Sequence, residues 1–513
     1  MNIIALCQGA NFSVFSKIYD LTYQKINFNR IGIFVADAYY YNSNHDRTKL
    51  SDANCIYLKE WESVNAGLMK EPDYDLIKSR QSILGSPSLR NSFLADRRIF
   101  FGKFCKNTQS YKPRFNEKQM LGILSEAIIR VEKLFDEVNP DLILGFVPVT
   151  LHEYLILRYA ESRNIRVQLL RSTKIDNYIS FHDKLIGISS NIKKKIDFPP
   201  KYSQDINSVA ENYLINTRER GAVYEGMHNS DYAFKKFQLS KFIPKLLSSL
   251  KNEYIRLKDN TLKNDNHNPG FLVPALIDNL LTPIRAKLAR NFIQKHRKIR
   301  LNEFNSGYSF CLYPLHFEPE IALQIYGRPL QNQIETIRNI ANSLPPGMIL
   351  VVKEHPRSAG FRAVSYYQKI SEIPNVIIEY AETPSINIVS KSKLVITVTG
   401  NIGLEAMVLK KPVIVLGETD YSVISDKMIV ECKNLFKLSE KIQFILNNHK
   451  HDENALKNFI SANISEGIGI DLYSFLLSKS GRVNFQENSG IELDKFRDYL
   501  VERLNHKGDD AKF

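Results

Sequence analysis

Side chains capable of chemistry collect in this sequence where apolar runs end. From Lys393 an apolar run enters Thr399, Gly400, Asn401 and Gly403 and continues into a helical pattern carrying Glu405, with a second apolar run at 413–416. A helix starting there would aim its free N–H groups beyond the strand end, which suits an anion such as phosphate. Gly400 and Gly403 would let a ligand approach the backbone. Thr399 and Asn401 can cap the helix or donate to phosphate, and Glu405 can accept from ribose hydroxyls. The same string also describes a structural crossover in which the helix dipole alone favours Glu405.

Three more strand ends carry reactive groups. An apolar run at 348–352 delivers Lys353, Glu354, His355, Pro356 and Arg357 together. His355 could donate to a phosphate oxygen or protonate a leaving group, while Lys353 and Arg357 could neutralise phosphate charge. A solvated charged loop is the alternative. The run ending at Pro314 is followed by His316, Glu318, Pro319 and Glu320. The two prolines stiffen a loop that could hold His316 and Glu320 toward a nucleotide, or hold His316 as a structural histidine. In the first half, 141–151 leaves His152 and Glu153 at a helix start. Glu153 is the candidate catalytic carboxylate or base, with His152 beside it, unless both are simply first-turn residues complementing the dipole.

Taken together, Tyr313 to Glu320, Val352 to Pro356, and Thr399 to Ala406 with Lys411, Pro412 and Tyr421 resemble bacterial capsule and surface-polysaccharide biosynthesis proteins. Related families include the Kdo transferases of capsule synthesis. The His355-Pro356 pair also resembles the motif of bacterial sialyltransferases and CDP-polyol transferases. The resemblance implies a metal-independent GT-B glycosyltransferase with two Rossmann-like domains facing a cleft. It implies a nucleotide sugar as donor, CMP-activated in preference to UDP-activated, a glycan or lipid-linked acceptor, and no further cofactor. It assigns donor phosphate to His355 and the turn of Thr399, Gly400 and Gly403, and ribose to Glu405; Tyr421 is a further donor-binding candidate beside them. A nucleotide-sugar epimerase of similar fold and a non-catalytic capsule assembly or export protein are the competing readings.

The elements that must position these residues follow an α/β alternation. Strand-like runs at 3–6, 31–35, 141–151 and 167–170 are interleaved with helical spacing at 120–137 and 153–160; a second series has strands at 308–313, 348–352, 375–378, 394–398 and 413–416. Between them, 203–301 reads as polar, lysine-rich helix. The expected division is an acceptor domain over 1–200, a basic helical joint over 201–304, a nucleotide-sugar domain over 305–475 and a helical tail over 476–513.

Composition agrees with a folded, multidomain chain: 513 residues, 43% hydrophobic and 24% charged. The formal net charge of +14 favours anionic partners. No stacking or base-reading pattern accompanies it, so nucleic acid is not expected. Five scattered cysteines without a CxxC pair suggest a reducing compartment and no zinc site. The short uncharged N-terminal run reads as a buried strand rather than a signal peptide, and no segment reads as a membrane span, so a cytoplasmic location is expected. The basic stretch 284–301 could lie on anionic lipid, or could be a solvated helix between domains.

Overall fold

Short runs of valine, isoleucine and leucine, buried on both faces, make the strands of two largely parallel sheets. The computed structural model describes residues 1–9, 11–44, 50, 53–84, 88–222, 239–303, 309–470 and 489–505. In the first sheet β1 (Asn2–Cys7), β2 (Arg30–Val35), β3 (Cys55–Lys59), β4 (Leu142–Gly145) and β5 (Arg166–Ser172) run parallel in the order β3-β2-β1-β4-β5. β6 (Tyr178–His182) then pairs antiparallel with β5. The second sheet holds β7 (Ser309–Pro314), β8 (Met348–Lys353), β9 (Val376–Glu379), β10 (Leu394–Thr397), β11 (Val413–Val415) and β12 (Ile429–Glu431), all parallel, in the order β9-β8-β7-β10-β11-β12.

Both sheets therefore have the doubly wound order, in which strand growth reverses beside the first strand. Ligands of open α/β sheets bind outside the carboxyl ends at that reversal. In the second sheet the reversal lies between β7 and β10, so the His316 loop and the Gly400 turn flank it. The two-layer α/β class expected from the sequence is the observed one.

The division into domains differs from the expected one. Helix Ser190–Asp197, expected in the acceptor domain, and helix Gln204–Arg220, expected in the joint, both pack on the second lobe. Their Ile192, Ala210, Tyr213 and Leu214 share a core with Val395, Leu404, Met407 and Phe459 of the second lobe. Helix Thr282–Glu303 likewise buries Ala289 and Ile293 against that lobe. Past helix Glu453–Glu466, the chain returns to the first lobe before position 475. β13 (Gly467–Gly469) pairs with β6, and helix Ser489–Asn505 buries Phe496, Leu500 and Leu504 among Phe12, Phe15 and Ile18. Apolar matching overrode sequence position at both boundaries. Residue 308 of the expected strand and residues 476–488 and 506–513 of the expected tail lie outside the described residues.

Between the lobes, Arg97 Nη1 donates to Pro319 O (3.2 Å), Gln109 N to Phe361 O (3.3 Å), Arg171 Nη2 to Asp420 (3.4 Å) and Arg285 Nη1 to Thr108 Oγ1 (2.7 Å). Trp61, the single tryptophan, shares a core with Phe496. Phe496→Ala should destabilise the first lobe by about 3–5 kcal/mol. Tryptophan fluorescence in a urea titration reads this directly; an unchanged midpoint would contradict docking of the C-terminal helix.

Candidate functional site

The glycine turn after β10 is held from three directions. His316 Nε2 accepts from Thr399 N (3.2 Å), and Gly400 N donates to Thr397 Oγ1 (3.0 Å). The Tyr421 hydroxyl donates to Gly400 O. Because Nε2 of His316 is the acceptor, the neutral ring carries its proton on Nδ1. Burial pushes this histidine down to about 4, so it is uncharged near neutrality. His316 thus braces the turn.

Gly403 serves packing as well: a Cβ there would overlap the Tyr421 ring. The expectation that Gly403 admits a ligand is corrected, since Tyr421 fills that space. The Thr399 hydroxyl donates to Ala322 O (3.2 Å), and Asn401 makes no side-chain cap bond. Glu405 is 6% exposed. Its oxygens accept from Ser385 Oγ (3.2 and 3.1 Å) and from the Ala222 backbone, and burial pushes its carboxyl up. The carboxylate expected to stand open for ribose is therefore occupied by the chain itself.

At the end of β8, the four charged groups separate into different roles. Glu354 is buried, accepting from Tyr367 Oη (2.6 Å), from His355 N (2.6 Å) and from the Arg362 guanidinium. Lys353 is buried too, donating to Glu354 O and Ala381 O (both 3.2 Å), and burial lowers its ammonium. Neither is placed to neutralise phosphate.

His355 caps the short turn Pro356–Ser358, its Nδ1 accepting from Arg357 N (3.1 Å). This leaves the proton on Nε2, the edge directed away from the turn. Burial, followed by Arg362, Arg357, His316 and Lys353, pushes the ring down to about 3. It is a neutral N–H donor. Arg357 is exposed and lies 5.2 Å over the Phe317 ring.

One residue the sequence reading missed ties these loops together. Arg362 has no exposed surface; its guanidinium donates to Glu354 and to His316 O and lies 3.7 Å from Glu318. Gln333 finishes the lock, its Oε1 accepting from His316 N (2.7 Å) and its Nε2 donating to His316 O (3.0 Å). Glu318 also accepts from Gln109 Nε2 of the first lobe (2.7 Å) and from Tyr111. Glu320 remains partly exposed on the wall of a cavity of about 470 Å3 between the lobes.

The first-lobe candidates occupy other positions. Glu153 is 1% exposed and closes a capping box: its Oε2 accepts from Val149 N (2.9 Å) and Thr150 N (3.1 Å), and its N donates to Thr150 Oγ1 (3.0 Å). Burial pushes its carboxyl up to about 7. His152 has no exposed surface, stacks on Phe34 and pairs through Nε2 with Ser63 Oγ (2.7 Å). The catalytic expectation for both is corrected: they build the start of helix Leu151–Ser162 and do not face the cleft. At the carboxyl ends of β2, β3 and β4 lies instead a buried set not foreseen. Arg98 Nε donates to Asp96 (2.9 Å) and its guanidinium approaches Glu60 (3.6 Å); His267 Nδ1 lies 2.8 Å from Ala36 O. This set closes the loop at 265–268 over the first sheet. Only local cues marked these residues, and no spacing rule joins 60, 98 and 267.

Fold and site together define a two-lobed α/β protein with two doubly wound sheets, whose candidate donor-side groups lie at the strand ends of the second lobe. Residues 275–425 match the family described as capsule polysaccharide biosynthesis protein. No curated protein matches the chain. Among solved structures it is similar to Thermosulfurimonas dismutans KpsC, beta Kdo 2,7 transferase (10% identity, 76% of this chain and 98% of that chain, TM-score 0.35). The beta Kdo 2,4 transferase of the same KpsC gives 12% identity, 74% and 97% coverage and TM-score 0.34. Methanocaldococcus jannaschii UDP-GlcNAc 2-epimerase gives 15% identity, 90% and 98% coverage and TM-score 0.27.

Two outcomes follow from the site's electrostatics. Arg362→Leu leaves Glu354 and Glu318 buried without their cation and should cost about 3–5 kcal/mol in chemical denaturation; a loss below ~1 kcal/mol would show that the hub is dispensable. His152, His316 and His355 are held near 3, 4 and 3 against an ordinary 6.5. The unfolded chain therefore binds more protons below 6.5, and stability present above that value is lost on acidification, by up to about 1.4 kcal/mol per group per pH unit. Carboxyls that burial raises act in the opposite sense over the same range, among them Glu153 at about 7 and Asp176 and Asp265 at about 6. Relative to a His355→Gln variant, the wild type should lose more urea midpoint on going from about pH 7.5 to about pH 5.5; an equal pH change in both proteins would refute the histidine contribution.

Proposed function

We propose that this protein is a glycosyltransferase of bacterial capsule or surface-polysaccharide biosynthesis. It transfers a sugar, with Kdo or a related acidic sugar as the leading class, from a nucleotide-activated donor on the second lobe to a glycan or lipid-linked acceptor. The observation that carries this reading is the placement of His355 after β8 and the glycine turn after β10, on either side of the β7 strand end and within the family-matched residues. As the sugar leaves, charge develops on the nucleotide phosphate. The neutral Nε2–H of His355 donates to a phosphate oxygen, and Arg357 adds positive charge at the rim. These groups supply the stabilisation without a metal. A cytidine nucleotide is the favoured leaving group, with uridine as the other candidate. A cytoplasmic setting accords with five cysteines that form no disulfide.

A ligand bound only by the folded state raises thermal stability. CMP, CDP, UMP, UDP and GDP should be compared on the wild type and on His355→Ala, each with and without EDTA. The expected result is a rise with a cytidine nucleotide, lost in the variant and unaffected by EDTA. No rise with any nucleotide overturns the reading, a rise retained by His355→Ala moves the phosphate site elsewhere, and a rise abolished by EDTA refutes metal independence.

A further inference from the structure

The helical segment before β7 exposes apolar surface that no other described residue covers. Helix Leu239–Lys258 turns Ile243, Leu247, Leu250, Tyr254 and Leu257 outward. At 100° per residue these positions fall within an arc of about 80°, a continuous stripe. The helical run that follows exposes Val273, Leu276, Leu280, Ile284 and Leu288 at the same kind of spacing. All ten lie between 37% and 62% exposed. The two runs are antiparallel neighbours: Lys245 Nζ donates to Asn279 Oδ1 (3.2 Å), and Phe271 N donates to Glu253 Oε2 (2.6 Å). Their stripes form one hairpin of exposed leucine, isoleucine, valine and tyrosine.

Charge identifies what covers it. Lys245, Lys251, Lys258 and Lys287 are exposed on the same hairpin. The adjoining loop of the first lobe, joined through Asn107 Nδ2 to Asp278 (2.9 Å), exposes Lys103 and Lys112 at the mouth of a cavity of about 590 Å3. Exposed hydrophobes bordered by lysines suit an anionic bilayer surface, where apolar side chains enter the headgroup boundary and the cations meet lipid phosphates. Among the described residues no helix is long and apolar enough to cross a membrane. We propose that this hairpin docks the protein flat on an anionic membrane. The footprint differs from the expected 284–301 stretch. In its later turns Ile293 is buried, and Arg290 and Arg297 pair with Glu382 and Glu379, so the lipid-facing surface is 243–288.

Co-sedimentation of the full chain with vesicles tests this, using phosphatidylglycerol–phosphatidylcholine mixtures and pure phosphatidylcholine. Wild type should pellet with the anionic vesicles and release as salt rises. The double variant Leu247→Glu/Leu257→Glu, altered only at exposed positions, should bind at least about tenfold more weakly. Its nucleotide-induced thermal shift should stay as in wild type, which separates this inference from the donor site. Failure to pellet with anionic vesicles, equal binding to pure phosphatidylcholine, or full binding by the variant overturns it. A dimer in light scattering that the variant converts to monomer, without vesicle binding, would assign the face to a second copy instead.

Discussion

A guanidinium with no exposed surface is the constraint on which the strand-end loops of the second lobe depend. Burying Arg362 is tolerable only because Glu354 and Glu318 lie beside it and His316 O accepts from it. Those partners sit on the loops after β7 and β8, so the charge pairs fix the two loops relative to one another. The order passes onward through His316 Nε2 to the Thr399 backbone. Three strand-end loops thereby behave as one piece, and the His355 Nε2–H stands on that fixed frame. Preorganised donors of this kind stabilise charge without reorganising as it develops.

The first lobe uses the same physics to the opposite end. Arg98 is also buried and is also surrounded by carboxylates, Asp96 and Glu60. Its network draws in the loop at 265–268 and closes the carboxyl ends of β2 to β4, whereas the Arg362 network leaves the edges of its loops accessible. A buried ion cluster therefore does not by itself mark a ligand site. What separates the two is whether donor groups remain outside the network, as Nε2 of His355 does.

Much of the architecture was legible because it is written in local pattern. The runs at 3–6, 31–35, 348–352, 394–398 and 413–416 became β1, β2, β8, β10 and β11, and the helical spacing at 120–137 became Glu117–Val138. β3, β6, β12 and β13 were not foreseen: they are short, and their existence is decided by pairing partners far away in the chain. The site shows the same divide. The loops carrying His316, His355 and Gly400 could be found by residue type at strand ends. Arg362 could not, since an arginine after Gly360-Phe361 reads as surface until Glu354 and Glu318 are seen around it. Glu153 misled for the complementary reason, because a first-turn glutamate serves a capping box and a catalytic role with the same sequence signature.

The chain's repeated passage between lobes has a consequence for how such a protein can change over generations. First-lobe strands give way to second-lobe helices at 190–220; the loop at 265–268 returns to the first lobe, Thr282–Glu303 joins the second, and β13 with the C-terminal helix returns once more. A single recombination breakpoint therefore cannot exchange one lobe intact for that of a relative. Change in one lobe must arise by substitution rather than by trading halves, and either lobe inherits changes in the other through the segments they share.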